Sequence, residues 1–164
     1  AAPVAPREPA PAPSTASSNV AAPSVAPPSD LETPTKSLRI LVAEDHGVNR
    51  RIVDLMLKRF GYSADFANDG LEVLDALGRR AYDVILMDVQ MPNMDGLAAT
   101  REVRLRTQSA EIPFIIGLTA NATDESRAAC FAAGMNDYVS KPIIAAKLLS
   151  ALENCEASME KLKR

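Results

Sequence analysis

The fold is decided by residues 83–96, which read Asp-Val-Ile-Leu-Met-Asp-Val-Gln-Met-Pro-Asn-Met-Asp-Gly. The apolar run Val84–Met87 is too short for a helix and is typical of a strand buried on both faces, as in a parallel sheet. The run ends at Asp88, and a loop then leads through Asp95 and Gly96 into a helical pattern. This places Asp88 at the carboxyl edge of the sheet, where open α/β folds bind ligands. An Asp after a strand is usually a turn residue, so a functional role requires partners from elsewhere in the chain.

Length and charge restrict the class of protein. The chain has 164 residues, enough for one domain, and its net charge of −3 is too weak to indicate a nucleic acid partner. No apolar run approaches membrane-spanning length, so we expect a cytoplasmic segment without membrane contact. Cys130 and Cys155 have no metal-binding spacing and are predicted to be reduced and buried. The single histidine, His46, excludes a site built from several histidines.

The first 36 residues differ in composition from the remainder. They hold nine of the twelve prolines and contain no glycine and no aromatic residue. Such a segment cannot bury a core, so residues 1–36 are predicted to be a disordered Ala/Pro-rich linker. We expect the chain to be a fragment of a longer protein, tethered through this linker to an inner-membrane kinase.

The remaining sequence alternates between strand and helix patterns. Strands are predicted at 38–43, 62–67, 84–88, 112–118 and 137–140, and helices at 48–60, 71–80, 97–106, 124–133 and from 143 onward. This alternation predicts an α/β domain over residues 37–155, with a parallel sheet covered on both faces. Apolar residues predicted to face inward include Ile52, Leu71 and Ile144, whereas Arg101, Arg104 and Arg106 are predicted to form a solvated face.

The last residues, 156–164, have two interpretations. An apolar stripe continues along the final helix through Leu148, Leu152, Cys155, Met159 and Leu162. The stripe could form the seam of a weak homodimer. Alternatively, the segment is a frayed helix end or tail whose basic residues complement the helix dipole.

The strand ends carry the chemistry of the chain. The first strand ends in Glu44 and Asp45, the third in Asp88, the fourth in Thr119 and the fifth in Lys141. Carboxylates gathered at one edge repel each other unless a cation joins them, and oxygen ligands without His or Cys select Mg²⁺. With no Ser–His or Cys–His pair, a carboxylate is the expected nucleophile for phosphoryl transfer, and Asp88 on the central strand is the natural choice.

Four segments together resemble the successive signatures of response-regulator receiver domains, most closely those attached to hybrid sensor histidine kinases. The segments are residues 42–45, 87–96, 118–120 and 134–142. The resemblance implies a flavodoxin-like, doubly wound, five-stranded parallel sheet of order 2-1-3-4-5 with five helices. It also implies a two-component phosphorelay, with a histidine kinase core or a histidine phosphotransfer domain as partner.

The resemblance further implies a role for each site residue. Asp88 is the expected phosphoacceptor, and Mg²⁺ is held by Glu44, Asp45, Asp88 and the backbone carbonyl of Gln90. Thr119 and Lys141 contact the phosphoryl group, Tyr138 is the aromatic that turns inward on activation, and Gln90 and Asn121 tune dephosphorylation. The Lys141–Pro142 bond is expected to be cis. The residues expected to contact the partner are Val48, Arg51, Ile52 and Pro142.

Two other functions compete with this interpretation. A phosphohydrolase of the haloacid dehalogenase type also uses an Asp nucleophile and Mg²⁺. That family has an Asp-x-Asp motif at the nucleophile, whereas here Val89 and Gln90 follow Asp88, so the second acid is missing. Flavin binding on the same fold requires a phosphate-binding loop after the first strand, whereas Glu44 and Asp45 would repel a phosphate. The sequence leaves open whether the chain is itself an enzyme, through Mg²⁺-dependent self-phosphorylation and autodephosphorylation at Asp88.

Overall fold

A computed structural model describes residue 3 and residues 37–107 and 112–164 of the chain. The predicted linker, apart from residue 3, lies outside the described residues, so its disorder stays a prediction. The strands are β1 Ile40–Ala43, β2 Ala64–Ala67, β3 Val84–Asp88, β4 Phe114–Thr119 and β5 Asp137–Ser140. The helices are α1 Gly47–Arg59, α2 Gly70–Arg79, α3 Gly96–Arg106, α4 Asp124–Ala133 and α5 Ala145–Leu162.

The five strands form one parallel sheet in the order β2-β1-β3-β4-β5. This confirms the predicted flavodoxin-like fold and its strand order. The register pairs Ala43 with Met87, Asp88 with Leu118, and Thr119 with Ser140. The residues that end or follow β1, β3, β4 and β5 therefore meet at one edge, which we call the carboxyl edge.

Two apolar layers cover the sheet, one on each face. On β1 and β3 the even-numbered side chains pack with α1 and α5, through residues such as Leu57 and Leu152. The odd-numbered side chains pack against α2, α3 and α4, through residues such as Val73 and Val103. Every residue of β1 and β3 is buried, as predicted from the continuous apolar run in the sequence.

Three apolar side chains predicted to face inward are exposed. Ile52 on α1 is 41% exposed, Leu71 on α2 is 48% exposed, and Ile144 is the N-cap residue of α5 and is 51% exposed. The buried side chains include Val53 and Leu57 on α1 and Val73 on α2. Periodicity indicated the correct helices, but the predicted apolar faces included the three exposed side chains, which lie outside the buried face.

Arg104 was predicted to be solvated, and this was wrong. Its half-buried guanidinium donates to the backbone oxygens of Gly134 (2.8 Å) and Pro113 (2.8 Å) and to Oδ1 of Asn136 (2.7 Å). Gly134 has a φ of 108° and ends α4. Arg104 thus joins α3 to the residues before β4 and β5, a role that three spaced arginines on a helix do not reveal.

Helix α5 returns the chain to the edge of the sheet at which the strands begin, which we call the amino edge. Glu156 on α5 accepts a hydrogen bond of 2.8 Å from the hydroxyl of Tyr62, which precedes β2. Met159 still packs against the core, whereas Leu162 is 87% exposed. The apolar stripe therefore covers the sheet of its own domain as far as Met159, and the weak homodimer stays a prediction.

Two further sequence predictions concern the cysteines and the membrane. Cys130 and Cys155 are both free and buried, as predicted. Among the described residues, no helix has the length and apolar character needed to cross a bilayer.

Candidate functional site

Three carboxylates meet at the carboxyl edge. Glu44 and Asp45 follow β1 and Asp88 ends β3, and each offers an oxygen within 4.8 Å of the others. Glu44 is fully buried and Asp88 is 4% exposed, whereas Asp45 is exposed to solvent. Two of the three charges are therefore removed from water, which is unfavourable unless cations compensate them.

Lys141 is the cation that faces this cluster. Its Nζ donates to Oε2 of Glu44 (2.9 Å) and to Oδ2 of Asp88 (2.8 Å). The Lys141–Pro142 peptide bond is cis, the geometry implied by the resemblance. One ammonium group facing three carboxylates leaves a net negative charge at the edge, which favours the binding of a further cation.

Burial and hydrogen bonding move the pKa values of these groups in different directions. Burial raises the pKa of Asp88, with a further contribution from the charge of Glu44, against the hydrogen bonds from Lys141 and the Gln90 amide. Burial acts the same way on Glu44, but the hydrogen bonds from Lys141 and the His46 amide outweigh it and lower its pKa. Burial lowers the pKa of Lys141, but its two carboxylate partners outweigh this and raise it. Asp88 is the acid whose charge the fold disfavours.

The loop after Asp88 depends on Gly96. A Cβ atom at this position would collide with the carbonyl oxygen of Asp88, so only glycine allows α3 to begin this close to the end of β3. The Gly96 amide donates to the carbonyl of Val89 (2.9 Å), and the Gln90 amide donates to Oδ1 of Asp88 (3.1 Å). The loop therefore folds back over the acid, and Gln90 itself is exposed.

Thr119 lies at the same edge, but its hydroxyl is engaged elsewhere. Its Oγ1 donates to the carbonyl of Asn121 (2.8 Å) and accepts from the Asn121 amide (3.2 Å). Thr119 is 4% exposed, whereas Asn121 is exposed. The structure thus brings Thr119 to the predicted strand end while its hydroxyl bonds the β4–α4 loop.

Tyr138 lies on β5, half-buried against α4. Its ring meets that of Phe131 edge to face, with centroids 6.1 Å apart. The guanidinium of Arg127 lies over both rings, 5.6 Å from the centroid of Tyr138 and 5.9 Å from that of Phe131. Neither Arg127 nor Phe131 was selected from the sequence, although each lies in the predicted fourth helix.

The residues predicted to contact a partner lie on the surface near this edge. Val48, Arg51, Ile52 and Pro142 are all exposed. Leu55 was missed from the sequence and is 54% exposed. Its spacing of three from Ile52 and seven from Val48 places the three apolar side chains on one stripe of α1.

The carboxylate cluster fits a hard divalent cation. Its donors are carboxylate oxygens, and no His or Cys belongs to the cluster found among the described residues. The exposed Asp45 leaves the edge open to water, and Mg²⁺ usually keeps several of its waters. Glu44, Asp45 and Asp88 therefore have the chemistry expected for a Mg²⁺ site.

A small cavity adjoins this site. It has a volume of about 110 Å³ and is lined by residues that include Gln90, Leu97, Thr119 and Asn121. Pockets for drug-sized ligands usually enclose roughly 300 Å³ or more. A larger cavity of about 440 Å³ lies between α2 and α3, lined by Leu77, Val103 and others, with no acid of the cluster in its walls.

Sequence reasoning also missed two residues that hold the loop after Asp88. Asp69 is the N-cap residue of α2 and is 8% exposed. Its Oδ2 accepts a hydrogen bond of 2.8 Å from Nδ2 of Asn93. Asn93 has a φ of 63°, in the left-handed region. Asparagine is among the residues that tolerate this region best, and that preference was the available signal.

Known proteins are similar to this chain in sequence and in fold. Residues 40–153 match the response regulator receiver domain family. A curated relative, hybrid signal transduction histidine kinase K from Dictyostelium discoideum, is 40% identical over 126 residues. That match covers 73% of this chain and 10% of the relative, so the chain spans about a tenth of that protein's length.

Two of the solved structures that resemble the chain are receiver domains of signalling proteins. One is the receiver domain of sensor histidine kinase PA1611 from Pseudomonas aeruginosa PAO1, which has a magnesium ion coordinated in its active site cleft. It has a TM-score of 0.65 and 40% sequence identity, and the match covers 71% of this chain and 95% of that domain. The other is the receiver domain of Ssk1 from Saccharomyces cerevisiae, in complex with the histidine phosphotransfer signaling protein Ypd1. It has a TM-score of 0.62 and 25% identity and covers 68% of this chain and 83% of its own.

Proposed function

The chain belongs to the response regulator receiver domain family, and from this premise we propose that Asp88 is the phosphoacceptor of a two-component phosphorelay. One observation carries the proposal. Asp88 ends the central strand within 4.8 Å of two other carboxylates and 2.8 Å from the ammonium group of Lys141. A buried acid with this surrounding charge is suited to become an acyl phosphate at a cation site.

The proposed transfer is an in-line displacement. A carboxylate oxygen of Asp88 attacks the phosphorus of a phosphohistidine, and the new O–P bond forms as the N–P bond breaks. The leaving imidazole keeps the electron pair of that bond and takes up a proton from solvent. Lys141 compensates charge on the transferred oxygens.

Glu44, Asp45, Asp88 and the backbone carbonyl of Gln90 are the proposed holders of Mg²⁺. When bound there, the ion would supply further charge neutralisation for the phosphoryl oxygens. Support comes from the donor set itself and from the magnesium ion in the receiver domain of PA1611. We propose that Gln90 and Asn121, which flank the small cavity, tune the loss of the phosphoryl group.

The proposed donor is a histidine kinase core or a histidine phosphotransfer domain. It would dock on Val48, Arg51, Ile52 and Pro142, and the exposed Leu55 extends this stripe. The Ssk1 receiver domain in complex with Ypd1 supports a partner of this class. With such a donor, the domain would work in the cytoplasm as part of a longer hybrid kinase.

The proposed response to phosphorylation runs through Thr119 and Tyr138. Phosphoryl oxygens would attract the Thr119 hydroxyl away from Asn121, and Tyr138 would then turn inward beside it. Substitution of Thr119 by Ala is expected to leave phosphoryl uptake possible but to weaken the dependence of partner binding on phosphorylation. Equal dependence in Thr119→Ala and wild type, measured by calorimetry with the beryllofluoride-treated chain, would count against this step.

A phosphohydrolase acting on small esters is the alternative. The residue two positions after Asp88 is Gln90, whereas the Asp-x-Asp motif of those phosphohydrolases has a second acid at this position. The cavity beside the site also encloses only about 110 Å³. Both observations favour a protein donor over a free phosphate ester. Multiple turnover of a small phosphate ester, lost in Asp88→Asn, would favour the alternative instead.

Intact mass spectrometry tests the proposal most directly. The wild type, Asp88→Asn and Asp83→Asn are incubated with acetyl phosphate, with and without Mg²⁺. Asp83 immediately precedes the same strand and is a matched acid at the opposite edge. We expect one phosphoryl group on the wild type and on Asp83→Asn, and none on Asp88→Asn or without Mg²⁺. An adduct retained on Asp88→Asn would refute the assignment. So would amide chemical shifts of the wild type that do not change when beryllofluoride is added.

A further inference from the structure

The turn between β2 and α2, residues 67–70, is bonded to both loops that carry the acids. The carbonyl of Ala67 accepts from the amide of Glu44 (3.1 Å), which fixes the loop after β1. On the other side, the Gly70 amide donates to the carbonyl of Met94 (3.1 Å), and Asp69 accepts from Asn93. This one turn therefore spans the two halves of the candidate metal site from outside.

The contact between the turn and the loop after β3 is close. A Cβ atom at Gly70 would lie 2.7 Å from a side-chain carbon of Met94 and 2.8 Å from its carbonyl oxygen. Asn93 adopts a left-handed backbone conformation that any residue with a Cβ adopts at some cost. The bond to Asp69 compensates that cost and fixes the loop in the observed position.

Asp69 uses its two carboxylate oxygens for two separate tasks. Oδ1 accepts from the amide of Glu72 (2.8 Å) and caps α2, as many N-cap residues do. Oδ2 accepts from Nδ2 of Asn93. The hydrogen bonds from the Glu72 amide and from Asn93 lower the pKa of Asp69, so the acid is ionised near neutral pH.

We propose that Asp69 and Asn93 are positioning residues for phosphoryl transfer, which hold the loop 89–95 so that Gln90 faces the metal and the acceptor. Gln90 has its amide on Asp88 and its carbonyl among the proposed metal ligands, so a displaced loop changes both contacts. This inference rests on the proposed function. Neither residue touches the reacting atoms; each acts through the loop.

The chain offers variants that separate this role from helix capping. Asp69→Ser keeps one oxygen for the cap but cannot serve Glu72 and Asn93 at the same time. Asn93→Gly keeps the left-handed backbone conformation but removes the side-chain donor. Tyr82→Phe is the control for general destabilisation, because it removes a hydrogen bond of 2.7 Å to Asp65, distant from the acids.

The readouts are the Mg²⁺ dissociation constant from amide chemical shifts, the initial rate with acetyl phosphate, and the unfolding midpoint in urea. We call Asp69→Ser and Asn93→Gly the clamp variants, because each breaks the clamp formed by the hydrogen bond between Asp69 and Asn93. We expect each clamp variant to weaken Mg²⁺ binding and slow phosphoryl uptake about tenfold, a typical effect of losing a support for metal ligands. The double variant should bind Mg²⁺ and take up the phosphoryl group no less well than the more impaired single variant, since both substitutions remove the same bond. Tyr82→Phe should shift only the unfolding midpoint.

Unchanged Mg²⁺ affinity in both folded clamp variants would overturn the inference, as would effects that add in the double variant. A failure of the proposed function appears differently. In that case the wild type itself takes up no phosphoryl group, while the Mg²⁺ titration still reports on the clamp.

Discussion

The two edges of the same sheet treat their acids in opposite ways. At the amino edge, Asp83 receives three hydrogen bonds of 2.8–3.0 Å from the amide and guanidinium of Arg39. Asp65 receives one from Arg80 (3.0 Å) and one from Tyr82 (2.7 Å). At the carboxyl edge, Glu44 and Asp88 share the ammonium group of Lys141, and the exposed Asp45 lies beside them.

Asp83 and Asp88 make the contrast sharpest, because Asp83 immediately precedes β3 and Asp88 ends it. Hydrogen bonds from Arg39 outweigh burial and lower the pKa of Asp83, so folding favours its charged form. Burial raises the pKa of Asp88, so folding disfavours its charge. The difference teaches that the charge of Asp83 at the amino edge stabilises the fold, whereas the charge of Asp88 at the carboxyl edge is retained at a cost in stability, as charges at functional sites often are.

The largest expected effect comes from removing the cation of the carboxyl edge. Lys141→Met leaves Glu44 and Asp88 without their cationic partner, and breaking such a pair typically costs about 3 kcal/mol of unfolding free energy. Mg²⁺ should restore part of that loss, since it can neutralise the same carboxylates. Urea unfolding with and without Mg²⁺ measures both effects.

The matched control for that experiment is Lys58→Met. Lys58 pairs with Asp54 on the exposed surface of α1, one turn away along the helix. Its loss should change the unfolding free energy by less than about 1 kcal/mol, with no dependence on Mg²⁺. A loss in Lys141→Met that Mg²⁺ leaves unaltered would show that the acids do not share a cation site.

Neutralising Asp83, just before β3, and Asp88, at its end, should change the unfolding free energy in opposite directions. Asp83→Asn is expected to lower the unfolding free energy by about 1 kcal/mol, because it weakens the partly exposed pair with Arg39. Asp88→Asn is expected to raise it by up to about 1 kcal/mol, because the fold disfavours this charge. Chemical unfolding at neutral pH without Mg²⁺ compares the variants, and destabilisation by both substitutions would break the contrast between the edges.

Alkaline unfolding should reveal the hydrogen bond between Tyr82 and Asp65. Burial, together with this hydrogen bond, raises the pKa of Tyr82 from 10.0 to about 12. A raised folded-state pKa contributes stability that is complete below pH 10 and is lost as pH rises toward 12. The wild type should therefore lose more stability than Tyr82→Phe across this window. Parallel curves of unfolding midpoint against pH for the two proteins would contradict this assignment.

The smallest effect is expected for the pair between Glu102 and Arg106 on α3. The two groups are 3.3 Å apart, and the side chains of Arg106 and Glu102 are 63% and 38% exposed. Glu102→Gln should change the unfolding free energy by less than about 0.5 kcal/mol, because solvent screens such pairs. A loss of unfolding free energy as large as that in Asp83→Asn would mean that exposure to solvent does not explain the difference between the Glu102–Arg106 and Asp83–Arg39 pairs.

The sequence predicted the fold and the five strand-end side chains well, because both depend on local patterns. A buried apolar strand that ends in an acid can be recognised in one dimension, and a parallel sheet brings such ends together. The bonds of Arg104 and Asp69 were not predictable in this way. Arg104 lies 30 residues from Gly134, and Asp69 lies 24 residues from Asn93. Neither pair stands out without the three-dimensional arrangement.

The direction of individual side chains was the other gap. Ile52 and Leu71 fit the apolar face of an ideal helix, yet both are exposed. A difference of one position on a helix rotates a side chain by roughly 100°, and composition alone cannot resolve a rotation of this size near the margin of the apolar face. The hydroxyl bond of Thr119 to Asn121 likewise depends on the conformation of its loop.

The course of α5 determines where another protein can be attached. Leu38 and Arg39 lead into β1 at the amino edge, and Lys163, at the end of α5, lies near enough to Asp83 to contribute to the lowering of its pKa. A reporter domain or surface tag joined after Arg164 would therefore start from the edge opposite Asp88. Labelled or immobilised versions of the chain should keep the acceptor accessible to a donor protein.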